Sequence, residues 1–198
     1  MKNTLLDKSF IVMDGHVLIK DFESGEVLLD KHNAINFENT SVAMAGAIAN
    51  KTDAVSGEQY HIKSLAYGNA GSTVGVGGAI VYQLPNTNHT DGVLHNQTYE
   101  KDVMADPTDD PENSIVMVHT PGQHYTDLII TSTLDYDEPA DQQLLDNGGS
   151  TEGTYTFDEL GIKLKTGKFI SHIIFHPIEK SANRKIQIIY TVRIRAGN

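Results

Sequence analysis

Ile186-Gln187-Ile188-Ile189-Tyr190-Thr191-Val192-Arg193-Ile194-Arg195 places an apolar or aromatic residue at every even position and a polar one at every odd position except Ile189. A period of two marks a β-strand with one buried face. A strand this regular belongs inside a sheet. The segment before it, Phe169 to His176, is also β-rich and is expected to close at Pro177, because proline cannot donate to a ladder. Between the two lies Glu179 to Lys185, polar and too long for a two-residue hairpin turn. With Tyr155 to Leu164, these segments predict three successive antiparallel strands.

Working outward, the 198 residues suit one β-rich domain, 1-198, which at this size buries roughly 70% of its unfolded surface without staples. There are no cysteines, so disulfides, thiolate zinc sites and cysteine nucleophiles are excluded. The formal net charge of −11 opposes non-specific attachment to nucleic acid or anionic membranes. No apolar run approaches the roughly 20 residues of a membrane span, and Met1 to Lys8 lacks the apolar core of a signal peptide. The expectation is a soluble product of the cytoplasm.

Toward the N-terminus, Phe10 to Met13 and His16 to Phe22 read as short strands around an Asp14-Gly15 turn, followed by Ser24-Gly25 and a third strand, Glu26 to Asp30. Asn36 can cap a helix with Glu38 in its first turn, and Val42, Ala45, Ile48 and Ala49 recur at helical spacing. A helix over 36-49, packed by that small-residue face, follows. Further strands are expected at His61 to Tyr67, Ala79 to Leu84, Gln97 to Met104, Ser114 to Val118 and Leu128 to Leu134. Long loops fall at 68-78, 85-113 and 135-153. Eight to eleven strands, one helix and no βαβ alternation predict a mainly β chain, an antiparallel, jelly-roll-like β-sandwich.

Chemistry is harder to find. Gly68-Asn69-Ala70-Gly71-Ser72 lacks the Lys-Ser/Thr pair of a phosphate loop and reads as an exposed connection. His172 and His176, four apart on one strand, stand about 13 Å apart, too far for one metal. His119 and His124 flank Pro121-Gly122 without a third ligand nearby. The loops Asp106 to Glu112 and Asp135 to Asp141 carry enough carboxylates for calcium but lack the glycine and terminal glutamate of the helix-loop-helix pattern. No Gly-x-Ser-x-Gly elbow is present, and adjacent Ser171-His172 and Asp158-Glu159 should point to opposite faces. No catalytic, cofactor or metal residues are expected.

One asymmetry suggests assembly. Lys180, Arg184, Lys185, Arg193 and Arg195 gather much of the scarce positive charge near the C-terminus, while Asp109, Asp110, Asp135 and Asp137 lie in the acidic loops. A basic edge meeting a neighbour's acidic loop makes these residues candidate subunit contacts. Ordinary solubility charge on an edge strand explains the basic residues equally well.

Several phrases, in order, carry a resemblance: Asp30-Lys31-His32-Asn33-Ala34-Ile35-Asn36, Leu65-Ala66-Tyr67-Gly68-Asn69-Ala70-Gly71-Ser72-Thr73, Pro121-Gly122-Gln123-His124-Tyr125-Thr126-Asp127, Leu134-Asp135-Tyr136-Asp137-Glu138-Pro139, Phe157-Asp158-Glu159-Leu160-Gly161, and Phe175 to Arg184. The set resembles virion structural proteins of tailed bacteriophages, from about Gly15 to Ile194. The resemblance implies a non-enzymatic particle component in many copies, made in the host cytoplasm and located in the virion. Its implied partners are other virion proteins and further copies of itself. The Phe-x-Glu-Leu-Gly phrase is similar to parts of tail-fibre and baseplate domains, favouring tail, neck or baseplate. Capsid decoration of the head is the alternative, and a carbohydrate- or receptor-binding module a more distant one.

Overall fold

The computed structural model describes residues 10–139 and 154–197. In chain order the elements are β1 (Phe10–Asp21), β2 (Val27–His32), β3 (Ala34–Ile35), α1 (Phe37–Ile48), β4 (Ile62–Gly68), β5 (Ser72–Val74), β6 (Ile80–Tyr82), β7 (Gln97–Asp102), β8 (Ser114–Val118), β9 (Tyr125–Leu134), β10 (Thr154–Leu164), β11 (Ser171–Ser181) and β12 (Ile186–Gly197). They form two five-stranded antiparallel sheets, β2-β1-β12-β9-β8 and β3-β11-β10-β4-β7, with the β5-β6 hairpin alongside. The chain is thus mainly β, a sandwich with one helix, as its patterning predicts.

The even residues of β12 build the centre of the core. Ile186, Ile188, Tyr190 and Val192 are buried with Val17, Ile19, Ile130 and Leu134 from the first sheet. Leu65, Tyr67, Phe157, Leu160, Ile162, Ile173 and Phe175 meet them from the second. Polar atoms that enter this layer find partners across it: the Tyr67 hydroxyl lies 2.8 Å from Ser132 Oγ, and the Asn33 side-chain amide donates to the Tyr190 hydroxyl. Burial raises both tyrosine pKa values above the ordinary range. β12 lies between β1 and β9, inside its sheet as its regularity requires.

Four local readings give way to the structure. Twelve strands are formed among the described residues, more than the eight to eleven expected. Asp14-Gly15 is not a turn; β1 runs straight through it, and Gly15 is there because a Cβ would stand 1.8 Å from Asn33 Oδ1. β11 likewise continues past Pro177. The β10-β11 register jumps from Phe157↔Ile178 to Glu159↔Ile174, so Phe175, His176 and Pro177 bulge opposite Asp158, where no ladder hydrogen bond is asked of the proline. Finally, α1 is capped by the Asn36 side chain as expected, but it buries Asn39, Thr40, Ala43 and Gly46, leaving Val42, Ala45, Ile48 and Ala49 outward. Residues 140–153 of the third predicted loop lie outside the described residues.

Candidate functional site

The bulge of β11 opposite Asp158 of β10 creates the most concentrated chemistry of the described residues. Simple alternation would send Asp158 and Glu159 to opposite faces, but Phe157 and Leu160 both belong to the core. The two carboxylates between them therefore face outward together. Consecutive amides of one loop confirm it: Ala70 N–H donates to Glu159 Oε1 at 3.3 Å and Gly71 N–H to Asp158 Oδ1 at 2.8 Å. Asp158 Oδ2 also accepts from the Ser72 amide at 2.7 Å and its hydroxyl at 2.6 Å.

Glu159 is the most heavily bonded group. Its Oε2 accepts from His172 Nε2 at 2.9 Å and from the His95 amide at 2.8 Å, while Oε1 accepts from the Asn96 amide at 2.8 Å besides Ala70. The His172 tautomer follows from its other side. Asn86 N–H donates to His172 Nδ1 at 2.8 Å, so Nδ1 holds the lone pair and Nε2 carries the proton given to Glu159. Burial pushes the Glu159 pKa up, but the His172 N–H and the Asn96 and His95 amides outweigh it and hold the carboxyl below its ordinary value.

These bonds fasten two loops across the outside of the second sheet. Loop 85–96 is held at Asn86 by His172, at His95 and Asn96 by Glu159, and at His89 and Thr90 by the side-chain amides of Asn36 and Asn39 from α1. Leu94 seals it against Ala66 and Phe169. The glycine run 68–72 does bind an oxyanion with backbone N–H groups, as phosphate loops do, but the anion is the chain's own pair of carboxylates. Gly68 permits this approach: a Cβ there would meet Asn96 O and Glu159 Oε1, each at 2.4 Å.

His95, Glu159 and His172 are also the one group among the described residues with ligand atoms close enough for a metal, all within 4.8 Å. A cation would need the Nε2 lone pair of His172, yet the Asn86 amide on Nδ1 places a proton there instead. The donor set suits a hydrogen-bonded clamp better than a metal centre. Glu159 and His172 are 0% and 1% exposed, and the oxygens of Glu159 are filled by four N–H groups. The other histidines stay apart from it. His176 lies 3.2 Å from the Tyr82 hydroxyl, and His119 Nδ1 contacts the carbonyl of Tyr125.

No family model, curated protein or solved structure matches the chain.

The residues proposed from sequence as subunit contacts are largely engaged within the chain. Arg193 holds Asp127 through two bonds of 2.7 Å and stacks over Tyr125, and Arg195 reaches Asp14 at 3.2 Å; both lie on the outer face of a central strand. Arg184 pairs with Asp21 at 2.8 Å, and Lys185 with Glu112 at 2.8 Å and Asp135 at 3.7 Å. Lys180 is 0% exposed, its ammonium donating to the Ser181 carbonyl at 3.0 Å, and burial lowers its pKa. Asp110 caps its own turn through the amides of Glu112 and Asn113, while Asp109 and Asp137 are exposed. Sequence reasoning misses the clamp because its signal, a bulge opposite Asp158, is visible only once the strands are paired.

Proposed function

We propose that this chain is a structural component of a tailed-bacteriophage virion, associated with tail, neck or baseplate, that works through contacts between subunits. The observation that carries the reading is the state of the buried cluster of titratable groups on β10 and β11. Asp158, Glu159 and His172 are buried and fully occupied in tying loops 68–72 and 85–96 to a rigid sheet. Such a device fixes the shape of surface loops, which suits a particle component better than an enzyme. The resemblance of the ordered phrases to virion proteins supports the same reading. Apolar side chains left on the outside, among them Phe37, Ile48, Ile11 and Met117, supply surface for neighbours.

Labelling the protein in imaged particles tests the assignment. Density at the tail, neck or baseplate is expected; density on the head would select capsid decoration, and a strong signal in a glycan array or hydrolase screen would reverse the reading.

A further inference from the structure

α1 is inverted relative to an ordinary surface helix. Its buried face is Asn39, Thr40, Ala43 and Gly46, while Phe37, Val42 and Ile48 are 74%, 46% and 83% exposed. Surface helices normally bury the apolar stripe and expose charge. The cause is on the page: Asn36 and Asn39 face inward because they hold the carbonyls of His89, Thr90 and Phe169. Nothing of that kind requires the outward apolar residues. Phe37, Ser41, Met44, Ala45 and Ile48 form one wall of an open cleft of about 490 Å³, and Ile11 and Met13 of β1 form the other. β2 pairs β1 only from His16 onward, so among the described residues this end of β1 is uncovered on that side, with Phe10 and Ile11 55% and 56% exposed.

Two features select the occupant. Glu38 is the single charged residue of α1, in a chain with 41 charged residues, so two copies of this helix face each other with little repulsion. The stripe is also self-complementary. Phe37, Ser41, Met44 and Ile48 are spaced 4, 3 and 4 residues apart, a pattern unchanged on reversal. Laid antiparallel, Phe37 meets Ile48 and the small Ser41 leaves room for Met44. Reciprocal contacts of this kind are what a two-fold interface demands.

We propose that α1 packs antiparallel against α1 of a second copy about a two-fold axis, with Phe37 against Ile48 of the partner subunit and Ser41 against Met44 of the partner subunit. The pairing deepens the assembly role proposed above and takes its setting from it. Sedimentation velocity on the full chain over a range of concentrations reads it directly. The unaltered protein sediments as a dimer. Phe37→Glu and Ile48→Lys, each at an exposed position and each of the charge its end of the helix favours, sediment as monomers with an unchanged far-ultraviolet circular dichroism spectrum. Mixed in equal amounts, the two variants re-form a dimer, because each Glu then faces a Lys and each remaining Phe an Ile.

A monomer at every concentration overturns the proposal, whether the stripe is covered by a different protein or by another segment of this chain. Single variants that remain dimeric, or a mixture that stays monomeric, overturn it as well. A dimer that behaves as described, formed by a chain absent from particles, upholds the pairing and sinks the virion reading alone.

Discussion

Glu159 shows how one residue can be expensive to bury and still stabilise. An ionised carboxylate out of water is costly unless its lone pairs are filled, and here four N–H groups fill them. Hydrogen bonds to charged groups contribute about 1.5–3 kcal/mol each, so Glu159→Gln, which turns one acceptor oxygen into a donor facing N–H groups, should cost about 2–4 kcal/mol in urea unfolding. The pH dependence has a definite sign. The folded-state pKa of Glu159 is held below its ordinary value of 4.5, so the group stabilises above that value and the contribution is lost as pH falls below it. Asp21 behaves alike: the Ser24 amide, Arg184 and the Ser24 hydroxyl hold it at about 2, so its share disappears between its ordinary value of 3.8 and that point. Unfolding titrations should therefore show stability falling from about pH 4.5 downward, with a shallower fall in Glu159→Gln. An unchanged slope in that variant would remove the clamp from the account.

At the scale of elements, α1 rests on Gly46. An alanine in a helix interior gains up to about 1 kcal/mol over glycine, yet a Cβ here would lie 2.2 Å from the Tyr60 ring. Overpacking costs about 1–3 kcal/mol, so Gly46→Ala should lower the thermal midpoint despite its better propensity. A raised midpoint would mean that Tyr60 moves freely and the helix is not seated there. The strands were legible in the sequence wherever one face is buried against one core, and β12 is the clearest case because its even positions stay apolar or aromatic from Ile186 to Ile194, between both neighbours. Legibility ended where an element answers to two neighbours. Asp14-Gly15 looked like a turn since the demand for glycine comes from Asn33, in another strand. Pro177 looked like a stop because the bulge that accommodates it is shared with β10. The apolar side of α1 was assigned to the core because periodicity reports that a stripe exists, not which way it points.

For the whole molecule, the same distinction separates what folds the chain from what it offers to others. Most of the C-terminal basic residues are spent on internal ion pairs: Arg184 with Asp21, Lys185 with Glu112, Arg193 with Asp127. Sequence alone leaves contact with a neighbour's acidic loop and ordinary solubility charge equally open, because pairing across strands far apart in the chain cannot be seen in composition. One group of apolar side chains left outward sits on α1 and the exposed end of β1. Buried acids that hold loops in place and an apolar patch on the outside are the two features on which the proposed assembly role rests.

Quantitative mass spectrometry of purified tailed-phage particles from cultures that produce this chain tests the proposed assembly role most directly. The account predicts many copies per particle, in a fixed ratio to the other structural proteins. Purified, infectious particles that contain none of it would contradict the account.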